Sequence, residues 1–124
     1  MHELSVTQAL VDMVVAEAEK AGASSVDRIN IVVGELTGIV ADSVQFYFSL
    51  VSAGTLAEGA RLSFKYVPAE FYCEKCGRVY NRSGFSFRCP HCCHSGIILN
   101  KGKELYIENI EVCFDGNKGP EEYP

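Results

Sequence analysis

The amino-acid sequence predicts an α+β fold, with two helices packed on a three-stranded sheet and a lobe inserted between two of the strands. Three observations carry this prediction: helical spacing of apolar residues near the N-terminus, alternation of apolar and polar residues in three later segments, and two CxxC pairs between the last two of those segments. With 124 residues and 48% hydrophobic content, the chain suffices for one globular core with a small appendage.

The first helix is predicted over residues 5–22. Its apolar residues recur at helical spacing: Val6, Leu10, Met13 and Val14. Ser5 followed three residues later by Gln8 has the pattern of a capping box, and Gly22 is a typical stop. We therefore expect the helix to begin at Ser5 and to leave "MHEL" as a short mobile arm.

A second helix is predicted from Asp42, which can cap it, to a stop at Gly54. Three strands are predicted over residues 26–34, 61–68 and 104–114, because apolar and polar side chains alternate there. The final "DGNKGPEEYP" has no apolar pattern, so we expect a flexible tail over 116–124.

The segment between the second and third strands contains the strongest motif. Its cysteines form two CxxC pairs: Cys73 with Cys76, and Cys89 with Cys92. A CxxC turn points two sulfur atoms at one centre, so two such turns supply four thiolates to a tetrahedral Zn²⁺ ion, at about 2.3 Å each. Four thiolates leave no open coordination position, so we predict a zinc-ribbon lobe in which the zinc is structural.

Two other cysteines and two histidines accompany these pairs. Cys93 follows the second pair directly, where such a turn would favour glycine, and Cys113 lies in the last strand, where it can pack as a small hydrophobe. Either Cys93 or His94 can compete for the metal. We expect these residues and His91 to be bystanders.

The N-terminal "MHE" concentrates nitrogen donors within a few residues. The α-amine of Met1, with a pKa of about 7.7 to 8.0, loses its proton easily to a metal near neutral pH. Backbone amides and the imidazole of His2 complete a set that favours a square-planar ion such as Ni²⁺. The segment is therefore a candidate nickel site.

Composition and charge exclude several classes of protein. A formal net charge of −5 argues against a dedicated nucleic-acid binder, which needs a basic footprint. No run approaches the roughly 18 apolar residues of a membrane span, and the N-terminus lacks the features of a signal peptide. We expect a cytoplasmic protein, in which reducing conditions favour thiolate–metal sites over disulfides.

Five motifs occur in order along the chain: "MHE", "LSVTQALVD", "VVGEL", CxxCG with CPxC, and "GKELYIENIEV". Together they resemble the HypA/HybF family of nickel-incorporation proteins of hydrogenase and urease maturation. The resemblance spans nearly the whole chain. It implies a metallochaperone, not an enzyme, with Ni(II) held by the Met1 amine, His2 and the backbone around Glu3.

The resemblance also implies partners and domains. The expected partners are a hydrogenase large subunit precursor, or a urease as recipient, and a nickel-pathway GTPase, with no nucleic acid or membrane. The expected chain is a monomer or weak homodimer, with a nickel-binding core over 1–68 and 102–115 and an inserted zinc-binding domain over 69–101. The family often has an acidic residue shortly after "GEL". Here Val40 stands at that position and Asp42 is the nearest carboxylate, so an oxygen ligand for nickel stays open.

A different class of function is also compatible with the four-cysteine lobe. A zinc-ribbon nucleic-acid-binding protein would use interleaved cations and stacking platforms: Arg78, Tyr80, Arg82, Phe85, Phe87 and Arg88. This alternative gives "MHE" no role. A CxxC thiol oxidoreductase is disfavoured, because it requires one reactive pair and the chain has two pairs at ribbon spacing.

Overall fold

The computed structural model describes residues 3–82, 84 and 86–114, and the backbone of 121–123. Its elements in chain order are α1 (Glu3–Lys20), β1 (Ser25–Gly34), α2 (Ala41–Val51), β2 (Arg61–Val67), β3 (Phe71–Tyr72), β4 (Val79–Tyr80), β5 (Ile97–Ile98), β6 (Leu105–Cys113) and β7 (Glu121–Tyr123). They form two compact units. The first comprises Met1–Val32, Ile39–Lys65 and Tyr106–Pro124, and the second comprises Val33–Gly38 and Tyr66–Leu105.

Helix α1, in the first unit, begins earlier than predicted. Glu3 is already helical, so Ser5 lies inside the helix and cannot be its N-cap, which requires a non-helical backbone. The amide of Gln8 donates to the carboxylate of Asp12 at 3.3 Å and does not turn back towards Ser5. The capping-box prediction was therefore wrong.

One face of α1 is buried: Thr7, Leu10, Val11, Val14 and Ala18. Met13, which was predicted to share this face, is 57% exposed. The helical periodicity was predicted correctly, but the buried face includes Val11 and not Met13. No helix in the described part of the chain is long and apolar enough to cross a membrane.

Helix α2 packs against α1 and begins two residues earlier than predicted. Its N-cap residue is Val40, with an extended backbone (φ −101°) and no capping side chain, whereas Asp42 lies within the first turn. There the carboxylate of Asp42 still faces the positive end of the helix dipole. Val44 and Phe48 form the buried face.

A four-stranded sheet in the order β2-β1-β6-β7 contains the three predicted strands. Ile29 and Ile31 of β1 and Ile110 and Val112 of β6 are buried. The fourth strand, β7, pairs antiparallel with β6 over three residues. It was missed because "EEY" has no apolar alternation. The rest of the predicted flexible tail lies outside the described residues, and the α+β fold class is confirmed.

The second unit contains a three-stranded sheet in the order β4-β3-β5. Phe71 of β3 lies opposite Tyr80 of β4 and Ile98 of β5. The buried core of this unit is small: Ala69, Phe71, Cys73, Tyr80 and Cys89. Leu36 packs against it from residues 33–38, which the sequence analysis assigned to the nickel-binding core.

Three backbone segments of the second unit meet at Gly34, Gly102 and Ala69. Gly34 has φ −85° and ψ 149°, which any residue adopts, but a Cβ there would overlap the carbonyl group of Gly102. A Cβ on Gly102 would lie 2.7 Å from the Cα of Ala69, and its φ of +103° also favours glycine. The close approach, and not the backbone conformation, requires glycine at position 34.

Gly34→Ala is expected to lower the free energy of unfolding by roughly 2 kcal/mol or more, because the added methyl group forces the backbone of Gly102 to move. Urea denaturation measures the change. Gly22→Ala is the matched control, since Gly22 has φ +75° but open space around it and should cost only about 1 kcal/mol. Equal losses in the two variants would contradict the steric explanation.

Candidate metal centre

The two CxxC segments form turns with the same hydrogen bonds. In the first, the N–H of Cys73 donates to the carbonyl of Arg78 at 2.9 Å, and the N–H of Gly77 donates to the carbonyl of Cys73 at 2.7 Å. Gly77 has φ +72°. The residue that follows the second cysteine of the pair therefore adopts the left-handed conformation.

The second turn repeats this geometry around Cys89. Its N–H donates to the carbonyl of His94 at 3.0 Å, and the N–H of Cys93 donates to the carbonyl of Cys89 at 2.8 Å. Cys93 thus occupies the position of Gly77, and among the described residues it is the one non-glycine with a positive φ, at 61°. A side chain in this conformation costs roughly 1–2 kcal/mol.

The two turns bring four sulfur atoms together. The Sγ atoms of Cys73 and Cys92 are 3.3 Å apart and those of Cys76 and Cys89 are 3.6 Å apart. All four lie within 4.8 Å of one another. In a tetrahedron with metal–sulfur bonds of about 2.3 Å the sulfurs are roughly 3.8 Å apart, so this donor set fits a tetrahedral metal ion.

The protein environment shifts the pKa values of the first cysteine pair in opposite directions. The backbone N–H of Cys76 donates to the sulfur of Cys73 and, against the effect of burial, lowers the pKa of that thiol to about 7. Burial raises the pKa of Cys76, and the contacts with Cys73 and Cys89 add to the effect.

The second pair shows the same division. Burial raises the pKa of Cys89, but the backbone N–H groups of His91 and Cys92 outweigh it, so the net shift is downward. The N–H of His94 lowers the pKa of Cys92, but the contact with Cys73 and burial outweigh it and raise that pKa to about 11. Backbone donors at the turns therefore prepare one thiol of each pair to be a thiolate.

Two stacked aromatic rings belong to the same buried cluster as Cys73 and Cys89. The rings of Phe71 and Tyr80 are 5.4 Å apart at 20°, and the hydroxyl of Tyr80 donates to the carbonyl of Phe87 at 2.7 Å. Burial raises the pKa of Tyr80, and the charges of nearby cysteines add to the effect. A Cβ on Gly96 would overlap the Tyr80 ring, so the chain passes directly over it.

Glu35 makes contacts in the second unit that the sequence analysis missed. Its Oε1 accepts the N–H of Ala69 at 2.8 Å, and its Oε2 pairs with the Nε of Arg82 at 2.8 Å. The Arg82 guanidinium also lies 5.8 Å from the centre of the Phe87 ring. The signal available in the sequence was a carboxylate that directly follows a buried strand and precedes an apolar residue.

Of the three predicted nickel residues, the structure describes Glu3. Met1 and His2 lie outside the described residues. Glu3 is in the first turn of α1, and its carboxylate accepts the N–H of Val40 at 3.2 Å. Asp42 lies in the first turn of α2.

Four further residues were predicted to take no part in metal binding. Cys93, His91 and His94 are exposed, and Cys113 is half-buried in β6. The group of metal-ligating side chains found among the described residues contains none of them. All six cysteines of the chain are free thiols.

The nucleic-acid-binding alternative is not favoured by the placement of its residues. Tyr80 is buried and cannot offer its face to a base. Arg82 is paired with Glu35, and the guanidinium of Arg88 donates to the carbonyl of Cys93 at 3.0 Å. Phe85 lies outside the described residues. Tyr80, Arg82 and Arg88 are thus engaged within the second unit itself.

Cys93→Gly is expected to raise the free energy of unfolding of the metal-loaded protein by up to about 1 kcal/mol, because it relieves the left-handed strain in the second turn. Gly77→Ala, the reciprocal change in the first turn, should lower it by about 1 kcal/mol. Chemical denaturation of both variants tests the pair. A Cys93→Gly protein less stable than the parent would show that the thiol itself contributes.

Zinc binding to the metal-free protein should release more protons as the pH falls from about 8 to about 6. Above its pKa of about 7, Cys73 is already a thiolate and releases none, whereas below it zinc must displace one more proton. Calorimetry in buffers of different ionisation enthalpy counts these protons. A constant count would contradict the assignment, and Cys73→Ser should reduce the increase.

The arrangement of elements is shared with solved structures. The solution structure of the Ni metallochaperone HypA from Helicobacter pylori matches with a TM-score of 0.60 and 22% identity, over 93% of this chain and all of that one. Another solution structure, of HypA protein, matches with a TM-score of 0.62 and 23% identity, over 90% of this chain and 96% of that one. At these identities the likeness shows the fold alone.

Sequence comparison identifies the family as well as the fold. A family model described as hydrogenase/urease nickel incorporation, metallochaperone, HypA matches residues 1–112. The hydrogenase maturation factor HypA of Caldanaerobacter subterraneus subsp. tengcongensis is 56% identical over 113 residues, which is 90% of this chain and 99% of that protein. That of Dehalococcoides mccartyi is 45% identical over 112 residues, 90% of this chain and 94% of that protein. The chain therefore belongs to the HypA family of metallochaperones, which are maturation factors and not enzymes.

Proposed function

We propose that this protein carries Ni(II) on its N-terminus and delivers it to the precursor of a hydrogenase large subunit. The nickel ligands are the Met1 amine, the His2 imidazole and backbone nitrogens up to Glu3. A nickel-pathway GTPase acts with it, and a urease is a second possible recipient. The protein works in the cytoplasm as a monomer or weak homodimer. Its free thiols accord with a reducing compartment.

The observation that carries this proposal is the position of Glu3 in the first turn of α1. The first four N–H groups of an α-helix have no carbonyl acceptor within the helix. A metal that replaces the amide proton of Glu3 therefore breaks no helical hydrogen bond. Metal binding and release at this end leave α1 intact.

The contact between Glu3 and Val40 places a negative charge near the N-termini of both helices. The Glu3 carboxylate lies at the N-terminus of α1 and accepts the N–H of Val40, the N-cap residue of α2. The positive ends of both helix dipoles oppose a cation there. The carboxylate and any deprotonated amides offset that opposition, and the carboxylate acts without having to be a ligand.

Zinc is the metal we propose for Cys73, Cys76, Cys89 and Cys92. Four thiolates in tetrahedral reach suit Zn²⁺ and leave it no open position, so the ion would hold structure only. The second unit has few buried apolar residues. Its fold would therefore depend on the metal.

The proposal predicts a nickel titration result on protein with its native Met1 terminus and its zinc in place. Calorimetry and visible absorption should show one Ni(II) with a square-planar spectrum, and His2→Ala should abolish that spectrum. A variant with one residue added before Met1 should behave like His2→Ala, because the α-amine moves away from the imidazole.

His91→Ala is the matched control, since it removes an exposed imidazole beside the cysteines and should leave nickel binding unchanged. If all four proteins bind nickel alike, the N-terminal site is wrong. Zinc content is measured in each sample, so that a loss of fold is not mistaken for a loss of nickel ligands.

A further inference from the structure

Helix α2 has an unusual composition for a surface helix. Its sequence, "ADSVQFYFSLV", contains a single charged residue, Asp42, in three turns. The face of a surface helix that points away from the core normally carries charged and polar residues. A helix with apolar residues on more than one face is normally buried on more than one face.

The outward face of α2 carries two large apolar side chains one turn apart. Phe46 is 61% exposed and Leu50 is 62% exposed, whereas Val44 and Phe48 fill the core on the other side. The ring of Tyr47 meets that of Phe46 edge to face, with centroids 5.4 Å apart. With Asp42 one turn before them, Phe46 and Leu50 form a row at i, i+4 and i+8, which we call the α2 row.

The two packed helices are acidic as a pair. Helix α1, which packs against α2, carries four carboxylates and one lysine: Glu3, Asp12, Glu17, Glu19 and Lys20. The row itself begins with Asp42. A second copy of this chain would bring like charges against these, whereas a basic partner would be attracted.

We propose that the α2 row is a docking site for a basic amphipathic helix of a partner protein. The apolar residues of that helix, at i and i+3 or i+4 spacing, cover Phe46 and Leu50, and a lysine or arginine beside them pairs with Asp42. This function is separate from metal binding. It gives the protein a surface for a partner on the helix whose N-cap residue contacts Glu3.

The test uses the full chain with its zinc and a helical peptide of about 18 residues built from leucine and lysine at amphipathic spacing. Amide chemical shifts should change along α2, and labelled peptide gives the affinity. The double variant Phe46→Ser/Leu50→Ser should weaken binding about tenfold or more. Met13→Ser removes an equally exposed apolar residue from α1 and should have no effect.

Two control peptides separate the contribution of charge from that of amphipathic spacing. A leucine–glutamate peptide of the same spacing and a leucine–lysine peptide of scrambled spacing should both bind more weakly. Equal binding of the scrambled peptide, or of the double variant, overturns the proposal. Sedimentation of the protein alone and binding to anionic lipid vesicles test a second copy and a membrane as occupants. If self-association or vesicle binding depends on Phe46 and Leu50, the proposal is also overturned.

Discussion

The convergence of four sulfur atoms within 4.8 Å is the constraint on which the second unit depends. Its strands β3, β4 and β5 have two residues each, and two of its buried core residues are themselves cysteines of the cluster. Thiolates at such distances repel one another unless a cation lies between them. The lowered pKa of Cys73 and the raised pKa of Cys92 express this competition in the metal-free protein.

A segment distant in sequence completes the second unit. Leu36 packs against the core and Glu35 bonds both Ala69 and Arg82, although these residues come from separate parts of the chain. The unit is therefore more than a loop between two strands. Its fold includes the end of β1, and the same stretch of chain continues within a few residues to Val40 and the start of α2.

Local chemistry explains how much of this the sequence could predict. The helices, the long strands and the cysteine turns follow from periodicity and from CxxC geometry, and even the unfavourable position of Cys93 followed from the comparison with Gly77. The start of α1 did not follow from local patterns, because the side chain of Gln8 bonds to Asp12 and not to a capping partner. The role of Glu35 could not be predicted either, since its partners Ala69 and Arg82 are far away in the sequence. Strand β7 was missed because it forms by pairing with β6 and has no alternating pattern of its own.

The meeting of Gly34, Gly102 and Ala69 has a consequence for how such a chain can change. Backbone atoms approach one another closely there, and the carboxylates of Glu35 and Glu104 accept the N–H groups of Ala69 and Gly102. A larger side chain at position 34 or 102 would force the neighbouring backbone to move. The small residues at these three positions are thus a constraint on how the sequence of this unit can vary.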